Sequence, residues 1–172
     1  MATNAEWAVG YARQASADFA TYLELRDISS IPACHPLQFL QMACEKLVKA
    51  HLIDGGTDPA SLQTSHAYVA GTLPVVIRQQ MPLSEIRTHD PRWIMAFTHL
   101  IAAEIEMLAP AVRRDGSRPD NCEYPWEDAS GMLRVPLDWE FKPSRMLLAK
   151  AARTFLKLVF DAIERLQVED GA

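Results

Sequence analysis

Glycine is scarce in this chain, seven of 172 residues, and none of it builds a phosphate-cradling loop. Neither GxxxxGK(S/T) nor GxGxxG occurs, and HExxH, GxSxG and cysteine-rich zinc patterns are missing too. Cysteine is sparser still. Cys34, Cys44 and Cys122 make an odd count with no CxxC pair, which argues against a disulfide framework and suits a reducing cytoplasmic compartment. Cys44 lies in a helical apolar run and reads as a small core residue, and Cys34 beside His35 is a poor start to a zinc site. Neither a metal nor a cofactor is expected. Positive charge is not in excess either. Lys and Arg number 17 against 22 Asp and Glu, for a net charge of -5, which excludes a generic coat for polyanions but leaves room for a local basic patch. No run of 18 apolar residues exists, so no membrane contact through a span is expected. The first residues lack a basic start and an apolar stretch, so no signal peptide is expected.

What remains is an ordinary globular composition, 49% hydrophobic and 23% charged, of a length suited to one domain over residues 1–172. Apolar residues recur at three- and four-residue steps. Trp7, Tyr11, Ala15, Phe19, Tyr22 and Leu23 mark a first helix over residues 4–25 with Asn4 as its cap. Leu37, Leu40, Cys44, Leu47, Val48 and His51 mark a second, opening at Pro36 and ending at Asp54-Gly55-Gly56. After a polar loop over residues 57–65, a third helix is expected over residues 65–80, kinked or split by Pro74. Asp90-Pro91 starts a fourth that runs to about residue 112, and a last helix covers residues 144–166. Residues 113–143 differ: four prolines, two glycines and no helical period. Extended pieces at residues 123–127 and 132–135 are expected to form a small hairpin across residues 128–131. A connector of this length in a compact domain serves as a lid, an interface or packing. The expected fold is all-α: a five-helix, largely antiparallel bundle with an irregular proline-rich segment before the last helix.

Two constellations carry chemistry. On the fourth helix Arg92, His99 and Glu106 recur every seven residues, close to two turns, and so project from nearly one line, with the small Ala96 and Ala103 between them. Trp93, Ile94, Phe97, Leu100, Ile101, Ile105 and Leu108 are expected on other faces, holding the core. A solvated polar stripe, which every amphipathic surface helix has, is the plainer reading of that line. On the second helix, Gln41, Glu45, Lys46, Lys49 and Ala50 fall in one run. Glu45 and Lys49 form an i,i+4 pair in the favourable order, worth about 0.3–0.5 kcal/mol on an exposed face. His66 follows near the expected start of the third helix, where a packing or cap-region role is the plainest reading.

The run Gln-x-x-x-Glu-Lys-x-x-Lys-Ala, then a glycine-containing loop, then Thr64-Ser65-His66, resembles the HEPN family of small helical domains. Gln41, Glu45, Lys46, Lys49, Ala50 and His66 carry the resemblance, and the order of helices agrees with it. The resemblance implies association with RNA or nucleotides. It implies a homodimer and, in many members, metal-independent endoribonuclease activity in toxin–antitoxin, defence or RNA-processing systems. Other members are inactive binding modules that accompany a partner protein such as a nucleotidyltransferase. Active members share an Arg followed after four to six residues by His, and Arg92 and His99 fit the longest of those spacings. On that reading His99 is the general base and Arg92 holds the phosphate, with Glu106, Lys46, Lys49 and His66 as binding residues. Arg87, Arg113 and Arg114 would complete a basic cleft. Glu123-Tyr124-Pro125 stands where many inactive members have Arg-Tyr-Pro, with the charge reversed.

Overall fold

The computed structural model describes residues 2–63, 65–84, 90–110 and 121–168. Among them 68% are helical, which places the chain in the all-α class. Among the described residues seven helices run in order: α1 (Asn4–Leu25), α2 (Cys34–Asp54), α3 (Pro59–Leu62), α4 (Val69–Gln80), α5 (Pro91–Met107), α6 (Lys142–Met146) and α7 (Lys150–Val168). Between α5 and α6 lies one two-stranded antiparallel sheet, β1 (Trp126–Glu127) and β2 (Leu133–Arg134), with Trp126 opposite Arg134.

Helix α1 has the expected bounds but a different cap. Thr3, not Asn4, accepts the Glu6 N–H, and the Glu6 carboxylate takes the Thr3 N–H at 2.7 Å, a reciprocal capping box. Ala8, Ala12, Ala15, Phe19 and Tyr22 form its buried face, and the three alanines let α2 lie close against it. Helix α2 opens at Cys34, two residues before Pro36, which sits in the first turn where its missing N–H costs nothing. This helix is the hub of the fold. It packs against α1, α4, α5 and α7, so nearly every side of it is buried, polar positions included.

The polar loop after α2 contains the one-turn α3, whose N–H at Ala60 is capped by Asp58. Helix α4 begins at Val69, four residues later than the sequence suggests, and runs unbroken through Pro74. The expected last helix is two helices, α6 and α7, separated at residues 147–149. Their inner faces complete the core: Phe155 of α7 meets the half-buried Phe97 of α5 edge-on, ring centroids 6.0 Å apart.

The segment after residue 120 has a small core of its own. Trp126 and Phe141 pack with Cys34 and Leu37 of α2, with Cys122, and with Leu108 at the end of α5. Trp126 and Trp139 meet at 86°, centroids 5.5 Å apart, and the Cys122 N–H donates to the Leu108 carbonyl at 3.1 Å. The segment is therefore docked packing. Its hairpin turn is organised by Asp128. Hydrogen bonds from the Ser130 hydroxyl, the Met132 N–H and Arg134 hold that carboxyl far below the usual range. Gly131 turns the chain back at φ +77°, a left-handed conformation that favours glycine. All three cysteines are buried and none is in a disulfide, and burial pushes the Cys44 thiol up to about 12.

Candidate functional site

Three motif residues of α2, Gln41, Glu45 and Lys49, are buried together and reach the half-exposed His66. Glu45 is the centre. Its carboxylate accepts Lys49 Nζ at 2.7 Å and Gln41 Nε2 at 2.8 Å, and His66 Nδ1 lies 2.9 Å away. Gln41, Glu45 and Lys49 are 3%, 8% and 4% exposed, so the i,i+4 pair is a buried ion pair and not the surface pair that its spacing suggests. The cause is the position of α2 among four neighbouring helices. Burial pushes the Glu45 carboxyl up, but the hydrogen bonds from Lys49, His66 and Gln41 outweigh it and hold the group below its ordinary value. Lys46 faces the other way and pairs with Asp18 of α1, whose second oxygen accepts Gln14 Nε2 at 3.3 Å.

His66 lies in the turn before α4, not within a helix, and its side chain is 44% exposed. With Nδ1 committed to Glu45, Nε2 is the ring nitrogen left for solvent or a ligand. Three of the carboxylate's hydrogen-bonding positions are thus occupied by protein groups. The cluster ties α2 to the turn that launches α4, and a ligand would meet it only through the imidazole.

The second constellation lies on α5. Asp90 caps this helix as expected, accepting the N–H groups of Arg92 at 2.9 Å and Trp93 at 3.2 Å. Ile94, Thr98, Ile101, Ala102 and Ile105 are its buried face. Arg92, Ala96, His99 and Ala103 are all exposed. Trp93 and Leu100, expected in the core, are 45% and 63% exposed. The helical angle explains them: each follows Arg92 or His99 by one residue, about 100° around the axis, which carries it past the alanine line and away from Ile94 and Ile101. The outer face therefore holds three parallel lines, cationic or titratable, small, and apolar. Neither the Arg92 nor the His99 side chain has a hydrogen-bond or ion-pair partner among the described residues.

Glu106, third in the heptad line, turns toward the protein. Its carboxylate accepts the Ala70 N–H at 2.8 Å. Helix α4 has no side-chain cap of its own, so Glu106 serves its N-terminus from another helix, where a negative charge also meets the positive end of the dipole. Arg87, Arg113 and Arg114 lie outside the described residues. Among the described residues no three His, Cys, Asp or Glu side chains form a set that would hold a metal ion, and no helix is long and apolar enough to cross a membrane. No family model, no curated protein and no solved structure matches the chain.

Proposed function

We propose that this chain is a HEPN-like module that acts on RNA as a homodimer through the outer face of α5, as a metal-independent endoribonuclease. The observation that carries this reading is the joint exposure of Arg92 and His99 on a helix face that also leaves Trp93 and Leu100 in solvent. Within one copy the two polar residues stand seven positions apart, about 10 Å along the helix at roughly 1.5 Å per residue, too far for both to work comfortably on one phosphate. Two α5 helices packed antiparallel remove that gap. A two-fold axis crossing midway between residues 92 and 99 sets Arg92 of each copy level with His99 of the other. Ala96 then lies at the axis, where a small side chain lets the helices approach closely, and Trp93 and Leu100 gain apolar cover.

In such a dimer His99 takes the proton from a ribose 2′-hydroxyl. The 2′-oxygen attacks the adjacent phosphorus, the bond from phosphorus to the 5′-oxygen breaks, and that oxygen leaves with a proton taken from water. The second copy's Arg92 neutralises the charge building on the phosphate. The products are a 2′,3′-cyclic phosphate and a 5′-hydroxyl. Toxin–antitoxin, defence and RNA-processing systems are the settings that the resemblance suggests, in the cytoplasm. Cleavage of RNA in EDTA by wild type but not by His99→Ala, with cyclic phosphate ends, is the expected result.

A second reading has its own support. General bases are usually oriented by another group, and nothing among the described residues orients His99. This favours an inactive binding or dimerisation module that accompanies a partner protein such as a nucleotidyltransferase, or holds a nucleotide. Absence of cleavage by concentrated wild type, with the chain still dimeric, selects it.

A further inference from the structure

A cleft of about 370 Å³ opens between the end of α1, the start of α2 and the junction of α6 with α7, and it shares no residue with α5. Its size falls within the range of small-molecule sites. The walls are mixed, with Ile31, Leu37 and Leu147 among the apolar residues and Asp27 and Ser29 among the polar ones, and Leu148 stands 87% exposed beside them. Two arginines line the same cleft. Arg26, just past the end of α1, is already engaged: its Nε lies 3.3 Å from Asp27, and its guanidinium sits over the Tyr22 ring, 5.8 Å from the centroid. Arg153, in the first turns of α7, is exposed and has no acidic partner among the described residues. Ser144 adds a further polar group. Its hydroxyl oxygen is buried and has no hydrogen-bond partner, and buried polar atoms rarely go without one.

We propose that this cleft binds a small molecule made of a compact apolar body and one anionic group, carboxylate or phosphate. Arg153 takes the anion, since Asp27 already offsets Arg26. The apolar stretches of the wall take the body, and the free guanidinium supplies the selection for charge. The site needs no second copy and stands apart from any reaction on α5.

The test uses the full chain and a fluorescent probe of this chemistry, 1-anilinonaphthalene-8-sulfonate, at low ionic strength. N-phenyl-1-naphthylamine, the same body without the sulfonate, is the uncharged control. One saturable site is expected for the sulfonate. Arg153→Gln weakens it about tenfold, the value of one charge-assisted hydrogen bond, and leaves binding of the uncharged amine unchanged. Arg153→Lys recovers part of the loss. Leu100→Ser, on the exposed face of α5, leaves sulfonate binding unaltered. The proposal is overturned if no saturable site is found, if Arg153→Gln leaves sulfonate binding unchanged or weakens both probes equally, or if Leu100→Ser abolishes it. Circular dichroism confirms that each variant is folded, and because Arg153 is exposed its replacement leaves the core intact.

Discussion

Glu45 and Lys49 are bonded at 2.7 Å with both side chains buried, one helical turn apart on the most enclosed helix of the fold. A pair in that position behaves differently from the same pair in water. Removing one partner strands a charge in the interior. Lys49→Ala is expected to lower stability by about 3–5 kcal/mol, measured by urea unfolding, while an apolar double replacement, Glu45→Leu with Lys49→Met, recovers most of the loss. A cost below about 1 kcal/mol for the single variant, the ordinary value of an exposed pair, contradicts the burial described above.

The same carboxylate sets a pH dependence. The folded pKa of Glu45 is held below the ordinary 4.5, so on acidification the unfolded chain takes up the proton first. The stabilisation is complete above the unfolded value and is lost as pH falls through 4.5 and then through the lower folded value. Urea midpoints followed from about pH 6 to pH 3 should therefore fall more steeply for wild type than for Glu45→Gln, which has no proton to take up there. Parallel profiles contradict the assignment.

Glu106 offers a separable test of role. If its work is to cap α4, Glu106→Ala lowers stability by about 1 kcal/mol and Glu106→Gln, which keeps an acceptor, by less. Any RNA cleavage per folded molecule should then survive both changes. Loss of cleavage in a Glu106→Gln protein of normal stability assigns Glu106 to the reaction instead.

How far the sequence discloses this molecule depends on whether the deciding contacts are local. The bounds of α1 follow from its apolar spacing, the start of α5 from Asp90-Pro91, and the hairpin from extended pieces flanking Gly131, all read within a few residues. Helix α4 is the opposite case. Ser65 looks like a cap, yet the helix begins at Val69, and the acceptor for its Ala70 N–H lies 36 residues away on Glu106. No local pattern discloses such a cap. The Glu45–Lys49 pair looks like surface chemistry because i,i+4 charges usually are. Only the packing of α2 against α1, α4, α5 and α7 buries it. The exposure of Trp93 and Leu100 was legible in principle, since one residue past Arg92 and His99 is about 100° of rotation, but apolar side chains invite a core assignment.

The pairing of Arg92 with His99 of a second copy is the centre of the functional account, and mixing two inactive variants tests it most directly. Arg92→Ala and His99→Ala are unfolded together and refolded as a mixture, then assayed on RNA in EDTA. Each mixed dimer holds one site with both residues intact and one with neither, so random pairing should restore about a quarter of wild-type activity from two inactive proteins. A mixture that stays inactive while wild type cleaves places Arg92 and His99 in one copy or outside the reaction, and an inactive wild type removes the nuclease reading altogether.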